Sequence, residues 1–82
     1  MDGVKVLLFG AAADRAGTRQ MELSVSEGTT LGELWPALAD RHPGLAPMHG
    51  TLAFAVNGEY ARAEAKVSPG DEVAVLPPVS GG

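Results

Sequence analysis

Two glycines, Gly81 and Gly82, close the sequence and carry its most distinctive reactive group, the terminal carboxylate. Because glycine has no β-carbon, both residues can pass a narrow channel in any backbone conformation. A carboxylate on such a slim end can enter and react in another protein's active site. A glycine pair is also common at frayed chain ends, so this hypothesis depends on the residues that precede it.

The four residues before the glycine pair favour an insertable tail. Pro77 and Pro78 lack backbone donors and hold φ near the polyproline value, which predicts an extended arm that leaves the fold. Val79 and Ser80 are small and uncharged. From Pro77 onward the arm reaches roughly 20 Å, which is long enough to enter a partner's active site.

No other group of residues in the sequence forms a recognised reactive site. The absence of cysteine excludes disulfides, thiolate metal ligands and a catalytic thiol. His42 and His49 lie in a segment rich in Pro and Gly, without acidic neighbours at metal-ligand spacing. Asp14, Asp40 and Asp71 belong to no Ser-His-Asp, phosphate-loop or zinc-protease motif. We expect a chain that binds no metal or cofactor itself and whose partners supply the catalytic groups.

The length and charge of the chain limit its class. A chain of 82 residues has material for one hydrophobic core, so we predict one domain, residues 1–76, followed by a flexible tail, residues 77–82. A net charge of −4 argues against binding to nucleic acid or an anionic membrane and favours protein partners with basic patches. The sequence shows neither a signal peptide nor an apolar run of membrane-spanning length, so we expect a cytoplasmic protein.

Hydrophobic periodicity predicts an α+β fold in which a mixed sheet of four to five strands packs on one main helix. The strands are predicted over residues 4–9, 19–25, 51–56, 72–76 and, as a short returning strand, 59–63. A short helix is expected over residues 11–17, which are rich in alanine and end in glycine, and a loop over residues 42–50. The crossover through the main helix lets the last strand lie parallel to the first at the centre of the sheet.

The main helix is predicted from Leu31 to about Arg41. Thr30 can accept a hydrogen bond from the first turn while Glu33 reaches back, which is a capping box. Pro36 conflicts with this helix because it removes a backbone donor and crowds the preceding turn, so we expect a kink or a late start. The residues expected to face the sheet are Leu31, Leu34, Trp35 and Leu38.

Alternation along the first and last strands predicts an exposed apolar patch beside the tail. Lys5 and Glu72 are charged and mark the solvent-facing side of their strands. The apolar residues that share these sides are Leu7, Phe9, Ala74 and Leu76. The opposite side, assigned to the core, carries Val6, Leu8, Val73 and Val75. Single exposed apolar residues are ordinary, but a patch beside an insertable tail is what a docking module needs.

With these motifs the chain resembles the MoaD/ThiS family of ubiquitin-like sulfur carriers, which have a β-grasp fold. The resemblance spans residues 4–82 and is strongest in the last six residues. Its supporting segments are residues 4–9 (VKVLLF), Thr30-Leu31 with Leu34, Val56-Asn57-Gly58 and Gly70-Asp71-Glu72-Val73. Within the family the chain is most similar to the small subunits of molybdopterin synthase. Carriers for thiamine biosynthesis are usually shorter, and those for cysteine biosynthesis tend to lack the double proline.

The resemblance implies that an E1-like adenylyltransferase uses ATP to adenylate the Gly82 carboxylate and that a persulfide protein supplies the sulfur of a thiocarboxylate. The tail would then enter the large catalytic subunit of molybdopterin synthase, within a heterotetramer, and donate sulfur to the pterin precursor. By position, Phe9 and Leu76 match apolar interface sites, although the family often has an aromatic residue in place of Leu76. The residues implied to contact partners are Leu7, Phe9, Leu76, Pro77, Pro78, Val79, Ser80 and Gly81. The chain would be a reusable protein cosubstrate, not an enzyme on its own.

Three other functions are compatible with the sequence. The chain can be a sulfur carrier for thiamine or cysteine biosynthesis. It can be a ubiquitin-like modifier, whose Gly82 forms isopeptide bonds with lysines of target proteins after the same adenylation. It can also be a plain interaction module with an inert tail.

Overall fold

A computed structural model of the chain describes residues 3–48 and 52–76. Its strands are β1 (Gly3–Leu8), β2 (Gln20–Ser24), β3 (Thr29–Thr30), β4 (Ala53–Val56), β5 (Glu59–Ala61), β6 (Lys66–Val67) and β7 (Glu72–Leu76). Its helices are α1 (Gly10–Ala16), α2 (Leu31–Arg41) and a 3₁₀ helix (Pro43–Met48). The α+β prediction is confirmed.

The main sheet has five strands in the order β2-β1-β7-β4-β5. The first and last strands, β1 and β7, pair in parallel at its centre, as the crossover predicted, and the other neighbours pair antiparallel. A separate two-stranded sheet joins β3 to β6, which the sequence did not predict because each strand is only two residues long. The placement of β7 at the centre brings the last described residue, Leu76, beside β1 and β4.

The core lies between the main sheet and α2. The strand residues assigned to it, Val6, Leu8, Val73 and Val75, are buried, and so are the four helix residues, Leu31, Leu34, Trp35 and Leu38. These residues were predicted to be buried from the spacing of apolar residues, so the predicted amphipathic pattern of the sheet and of the helix is confirmed.

The start of α2 is fixed by its own cap and by the chain before β6. The Thr30 hydroxyl accepts from the Glu33 amide at 3.2 Å, and the Glu33 carboxylate accepts from the Thr30 amide at 3.0 Å, which confirms the capping box. The amides of Leu31 and Gly32, which have no acceptor within the helix, donate to carbonyls of residues 65 and 63, each at 2.9 Å. The helix therefore begins at Leu31. Of the two effects expected of Pro36, the late start is wrong, and the kink stays a prediction.

Five predicted segments also need correction. Strand β1 ends at Leu8, and Phe9 is instead the residue that caps α1. The second and fourth predicted strands are shorter than expected, because β2 covers Gln20–Ser24 and β5 covers Glu59–Ala61. The predicted loop over residues 42–50 contains the 3₁₀ helix, which buries Leu45 completely beneath α1 and α2. The predicted strand over residues 51–56 begins at Ala53, and Thr51 lies outside the described residues.

Candidate functional site

The solvent-facing side of the main sheet carries a continuous apolar surface. Residues directly opposite each other on paired strands point to the same side. On this side Leu7 pairs with Ala74, Ala74 pairs with Ala55, and Ala55 pairs with Tyr60, so one row of side chains crosses four strands. Nearer the tail, Leu76 pairs with Ala53. We call this surface the outer face, and its members are Leu7, Phe9, Ala53, Ala55, Tyr60, Ala74 and Leu76.

The strand alternation assigned the two sides of β1 and β7 correctly. Val4, Val6, Val73 and Val75 have no exposed surface, whereas Leu7, Ala74 and Leu76 are half-buried on the other side of the sheet. Ala55 is buried but is not part of the core cluster, and its register partners on the outer face are Ala74 and Tyr60. The role of this face in binding partners remains a prediction.

Two large apolar side chains stand out from the outer face. Among the described residues, the exposed large hydrophobics are Phe9, which is 44% exposed, and Tyr60, which is 75% exposed. Tyr60 therefore leaves most of its surface, and Phe9 a little under half of its surface, available for burial by a partner. Sequence reasoning found Phe9 but missed Tyr60. The signal for Tyr60 was the two-residue Asn57-Gly58 turn, which fixes the register that places Tyr60 opposite Ala55.

The position of Phe9 is set by its backbone. Its amide donates to the Val75 carbonyl at 3.1 Å, and its own carbonyl accepts from the Ala12 amide at 3.1 Å as α1 begins. Its φ and ψ angles, −125° and 152°, continue the extended geometry of β1, so the alternation holds for one residue beyond the strand. Phe9 therefore lies beside the end of β7 on the same side as Leu76.

Hydrogen bonds between the two turns at the other end of the sheet hold β7 in register. The Asn57 side chain accepts from the Glu72 amide at 2.9 Å and donates to the Asp71 carboxylate at 3.1 Å. The Ser68 amide donates to the second Asp71 oxygen at 2.8 Å. The Ser68 amide, followed by the Asn57 side chain, holds the pKa of Asp71 below its ordinary value, because both stabilise the ionised form. Gly70 completes this turn with φ of +96°, a conformation that favours glycine.

A second apolar region lies on the helix side of β5. A cavity of about 400 Å³ is lined by α2, β4 and β5, and inside it Trp35 and Phe54 meet edge to face with ring centres 5.8 Å apart. Met48 and Leu52 line it next to the undescribed residues 49–51. This region belongs to the border of the core and shares Ala53 and Tyr60 with the outer face.

The reactive end of the predicted site lies outside the described residues. This applies to Pro77, Pro78, Val79, Ser80, Gly81 and Gly82, and to His49. His42 is the residue that ends α2, where its amide donates to the Leu38 carbonyl at 3.0 Å. In residues 3–48 and 52–76, no group of three or more His, Asp or Glu side chains is arranged to hold a metal ion. In the same ranges, neither α-helix has the length and hydrophobicity needed to cross a membrane.

The ThiS family model matches residues 6–82, nearly the whole chain. The chain belongs to the ThiS family. This ThiS family chain is 40% identical over 82 residues to the molybdopterin synthase sulfur carrier subunit of Homo sapiens, with 96% of this chain and 93% of that protein covered.

Solved structures show that the fold is the ubiquitin-like β-grasp. The crystal structure of small archaeal modifier protein 1 of Haloferax volcanii matches with a TM-score of 0.86 and 29% identity, covering 96% of this chain and all of that one. A chain in the complex of subunits 1 and 2 of the molybdopterin-converting factor from Helicobacter pylori matches with a TM-score of 0.68 and 27% identity. That match covers 98% of this ThiS family chain and 99% of the other. The predicted fold and the resemblance to the sulfur carrier family are therefore confirmed.

Proposed function

We propose that this chain is the sulfur carrier of molybdopterin biosynthesis and the non-catalytic small subunit of a molybdopterin synthase. The observation that carries the proposal is the ThiS family match, which continues through residue 82 and so includes the Gly81-Gly82 end. The similarity to the human molybdopterin synthase sulfur carrier subunit, which extends over nearly the full length of both chains, supports the proposal. The outer face supports it physically, because an apolar docking surface ends at Leu76, directly before the tail.

The proposed chemistry takes place on the Gly82 carboxylate. A carboxylate is a poor electrophile, so an E1-like enzyme first joins it to AMP from ATP and releases pyrophosphate. The terminal sulfur of a protein persulfide then attacks the carbonyl carbon, AMP leaves, and a thiol cleaves the sulfur–sulfur bond to free the thiocarboxylate. This chain contains no cysteine, so the persulfide and the thiol both belong to partners. ATP is used by the activating enzyme and is not a cofactor of this chain.

The proposed acceptor is the pterin precursor bound in a large catalytic subunit. The thiocarboxylate is an ionised, soft nucleophile at neutral pH, and glycine offers it no steric hindrance. The Helicobacter pylori complex of subunits 1 and 2 supports a partner of this kind. In this scheme the outer face binds the large subunit, the tail enters its active site, and the pair assembles into a heterotetramer in the cytoplasm.

Mass spectrometry of the intact protein tests the proposal. The chain is produced with its own activating enzyme and sulfur donor, and in parallel without them. We expect the mass to increase by the exchange of one oxygen for one sulfur only in the first sample, and the increase to map to Gly82. An unchanged mass in both samples would show that the chain is not a sulfur carrier.

The archaeal modifier supports a second candidate function. Its similarity to this chain makes conjugation of Gly82 to lysines a reasonable alternative outcome of the same adenylation. Immunoblots of cell lysates separate the two functions, since a modifier forms ATP-dependent conjugates of high mass that resist reduction. A sulfur carrier for thiamine or cysteine biosynthesis would instead acquire the sulfur but fail to convert the pterin precursor.

A further inference from the structure

A row of alternating charges crosses three strands of the outer side of the main sheet. Glu22 of β2 pairs with Lys5 of β1, and Lys5 pairs with Glu72 of β7. Direct pairing places all three side chains on the same side of the sheet, and all three are exposed. They form a carboxylate–ammonium–carboxylate row, which we call the charged row.

The charged row adjoins the apolar row of the outer face. Leu7 and Ala74 lie two residues further along the same strands than Lys5 and Glu72, a separation of roughly 7 Å. The solvent-facing side of the main sheet is therefore divided. Apolar residues lie toward the Leu76 end of β7, and charged residues lie toward its Glu72 end. Nearby Asp71 is not part of the row, since its carboxylate already accepts from Ser68 and Asn57.

We propose that the charged row is the orienting part of the docking surface and binds a complementary row on the large catalytic subunit. Glu22 and Glu72 lie on the strands that flank β1, so their backbone positions are about 10 Å apart at the usual strand spacing. The complementary surface would present two basic side chains at that separation with an acidic or neutral polar group between them. This inference rests on the proposed function and specifies the partner surface that the function requires.

The physical reason for such a row is the direction of docking. An apolar patch alone binds with little preference for rotation about its normal, because burial of apolar area is non-directional. A charged row on one side of the patch favours a single rotation and penalises the others through like-charge contacts. The favoured rotation points the Leu76 end of β7, and thus the tail, toward the active site. The net charge of −4 is consistent with a basic partner surface.

The competing explanation is that the row only stabilises the sheet. Opposite charges on paired strands contribute modestly to sheet stability, and exposed pairs contribute little. The two explanations are separable. Sheet stability depends on opposite charges facing each other on paired strands, whereas docking depends on which sign of charge each position presents to the partner. A variant that inverts every charge keeps the alternation and reverses the sign that the partner meets.

The experiment measures binding of the large catalytic subunit of molybdopterin synthase from the same organism to purified full-length chains. The inverted variant is Glu22→Lys/Lys5→Glu/Glu72→Lys. Each Glu→Lys exchange raises the net charge by two and Lys→Glu lowers it by two, so this variant has −2 instead of −4. The matched control is Glu64→Lys, which also has −2 and changes an exposed residue between β5 and β6. The second variant, Glu22→Gln/Glu72→Gln, has −2 as well and keeps the shape of both side chains.

We expect the inverted variant to bind at least about tenfold more weakly, the glutamine variant to show a smaller loss in the same direction, and Glu64→Lys to bind like the wild type. Urea unfolding of the inverted variant should match that of the wild type. Wild-type affinity in the inverted and glutamine variants, or an equal loss in Glu64→Lys, would overturn the inference. Binding of the E1-like activating enzyme is measured with the same variants, and a loss confined to that enzyme would overturn the assignment of the charged row to the large subunit. If the wild-type chain itself does not bind the large subunit, the proposed function fails, and this result is distinct from the others.

Discussion

The Asn57 side-chain amide donates to the Asp71 carboxylate at 3.1 Å and joins the β4–β5 turn to the turn before β7. The same side chain accepts from the Glu72 amide at 2.9 Å, and the Asn57 amide donates to the Glu72 carbonyl at 2.8 Å. Asn57 and Asp71 both belong to motifs that carry the family resemblance, and both lie at the end of β7 opposite Leu76. Their function is therefore to fix the start of β7, the strand whose other end leads to the tail.

We predict that replacement of Asn57 lowers the free energy of unfolding through two separable effects, the loss of side-chain hydrogen bonds and backbone strain. Asn57 has a positive φ of 51°, which Gly adopts freely and Ala does not. Asn57→Gly keeps the turn but leaves the Glu72 amide without its acceptor, a loss of about 1 kcal/mol. Asn57→Ala should lose about 1 kcal/mol more from backbone strain. Urea unfolding of the three proteins measures both steps, and equal stability of the Ala and Gly variants would contradict the assigned backbone contribution.

The lowered pKa of Asp71 predicts a pH dependence of stability. The Ser68 amide is the largest cause of the lowered pKa, and the Asn57 side chain is the next. Since the folded pKa is below the ordinary value of 3.8, the unfolded chain binds more protons between the two values. The stabilisation is complete above the unfolded pKa and is lost as the pH falls through the folded pKa. In Asp71→Asn the difference in urea midpoint between neutral and strongly acidic pH should shrink, and an unchanged difference would contradict this origin.

Local sequence signals predicted the layers of the fold and four of the seven residues of the outer face. The alternation around Lys5 and Glu72 assigned both sides of the central strands because each strand buries one side only. Thr30 and Glu33 predicted the start of α2 because a capping box involves residues only three apart. Both signals can be read from short segments, because strand alternation and helix capping each depend on residues that are close in the sequence.

The features that the sequence missed depend on contacts between distant segments. The β3–β6 pair is held by hydrogen bonds from the start of α2 to the chain before β6, and two-residue strands have no readable period. The 3₁₀ helix contains two prolines and looked like loop, but Leu45 anchors it in the core. Tyr60 belongs to the outer face because the register of the β4–β5 hairpin places it opposite Ala55, and that register is not readable from local periodicity.

Truncation of the exposed aromatic residues should weaken partner binding without unfolding the chain. Tyr60→Ala removes a side chain that is 75% exposed in the free protein, so the free energy of unfolding should change little. Phe9→Ala removes a side chain that is 44% exposed, so it should lower the free energy of unfolding somewhat more. Each should weaken binding of the large catalytic subunit by about tenfold or more, as is usual for aromatic anchors. Phe9→Leu, which retains an apolar side chain, is the control and should lose less. Calorimetric titration measures the binding, and wild-type affinity in both Ala variants would exclude the outer face as the docking surface.

Pro36 lowers the stability of α2 without displacing its start. It is an exposed residue inside the helix, and its missing amide leaves the carbonyl four residues earlier, that of Gly32, without its helical donor. Pro36→Ala restores that donor and fills no core space, so we expect it to stabilise the fold by about 1–3 kcal/mol. Thermal and urea unfolding measure the gain. A loss of stability would show instead that proline acts mainly by restricting the unfolded chain.

Deletion of Gly82 should abolish sulfur transfer and leave the fold unchanged. The core cluster of the described residues runs from Val4 to Val75, and we expect the tail to lie outside the core. Without Gly82 the terminal carboxylate is displaced by about 3.5 Å, which removes it from the point where an activating enzyme must hold it for attack on ATP. Gly82→Ala keeps the full length of the tail but adds a β-carbon. Comparison of this variant with the deletion separates the effect of tail length from the effect of side-chain size at the last residue. The measurements are the intact mass after incubation with the activating enzyme and sulfur donor, and the thermal midpoint. A lowered midpoint in the deletion variant would contradict the separation of tail and core, and sulfur acquired by that variant would place the reactive group elsewhere.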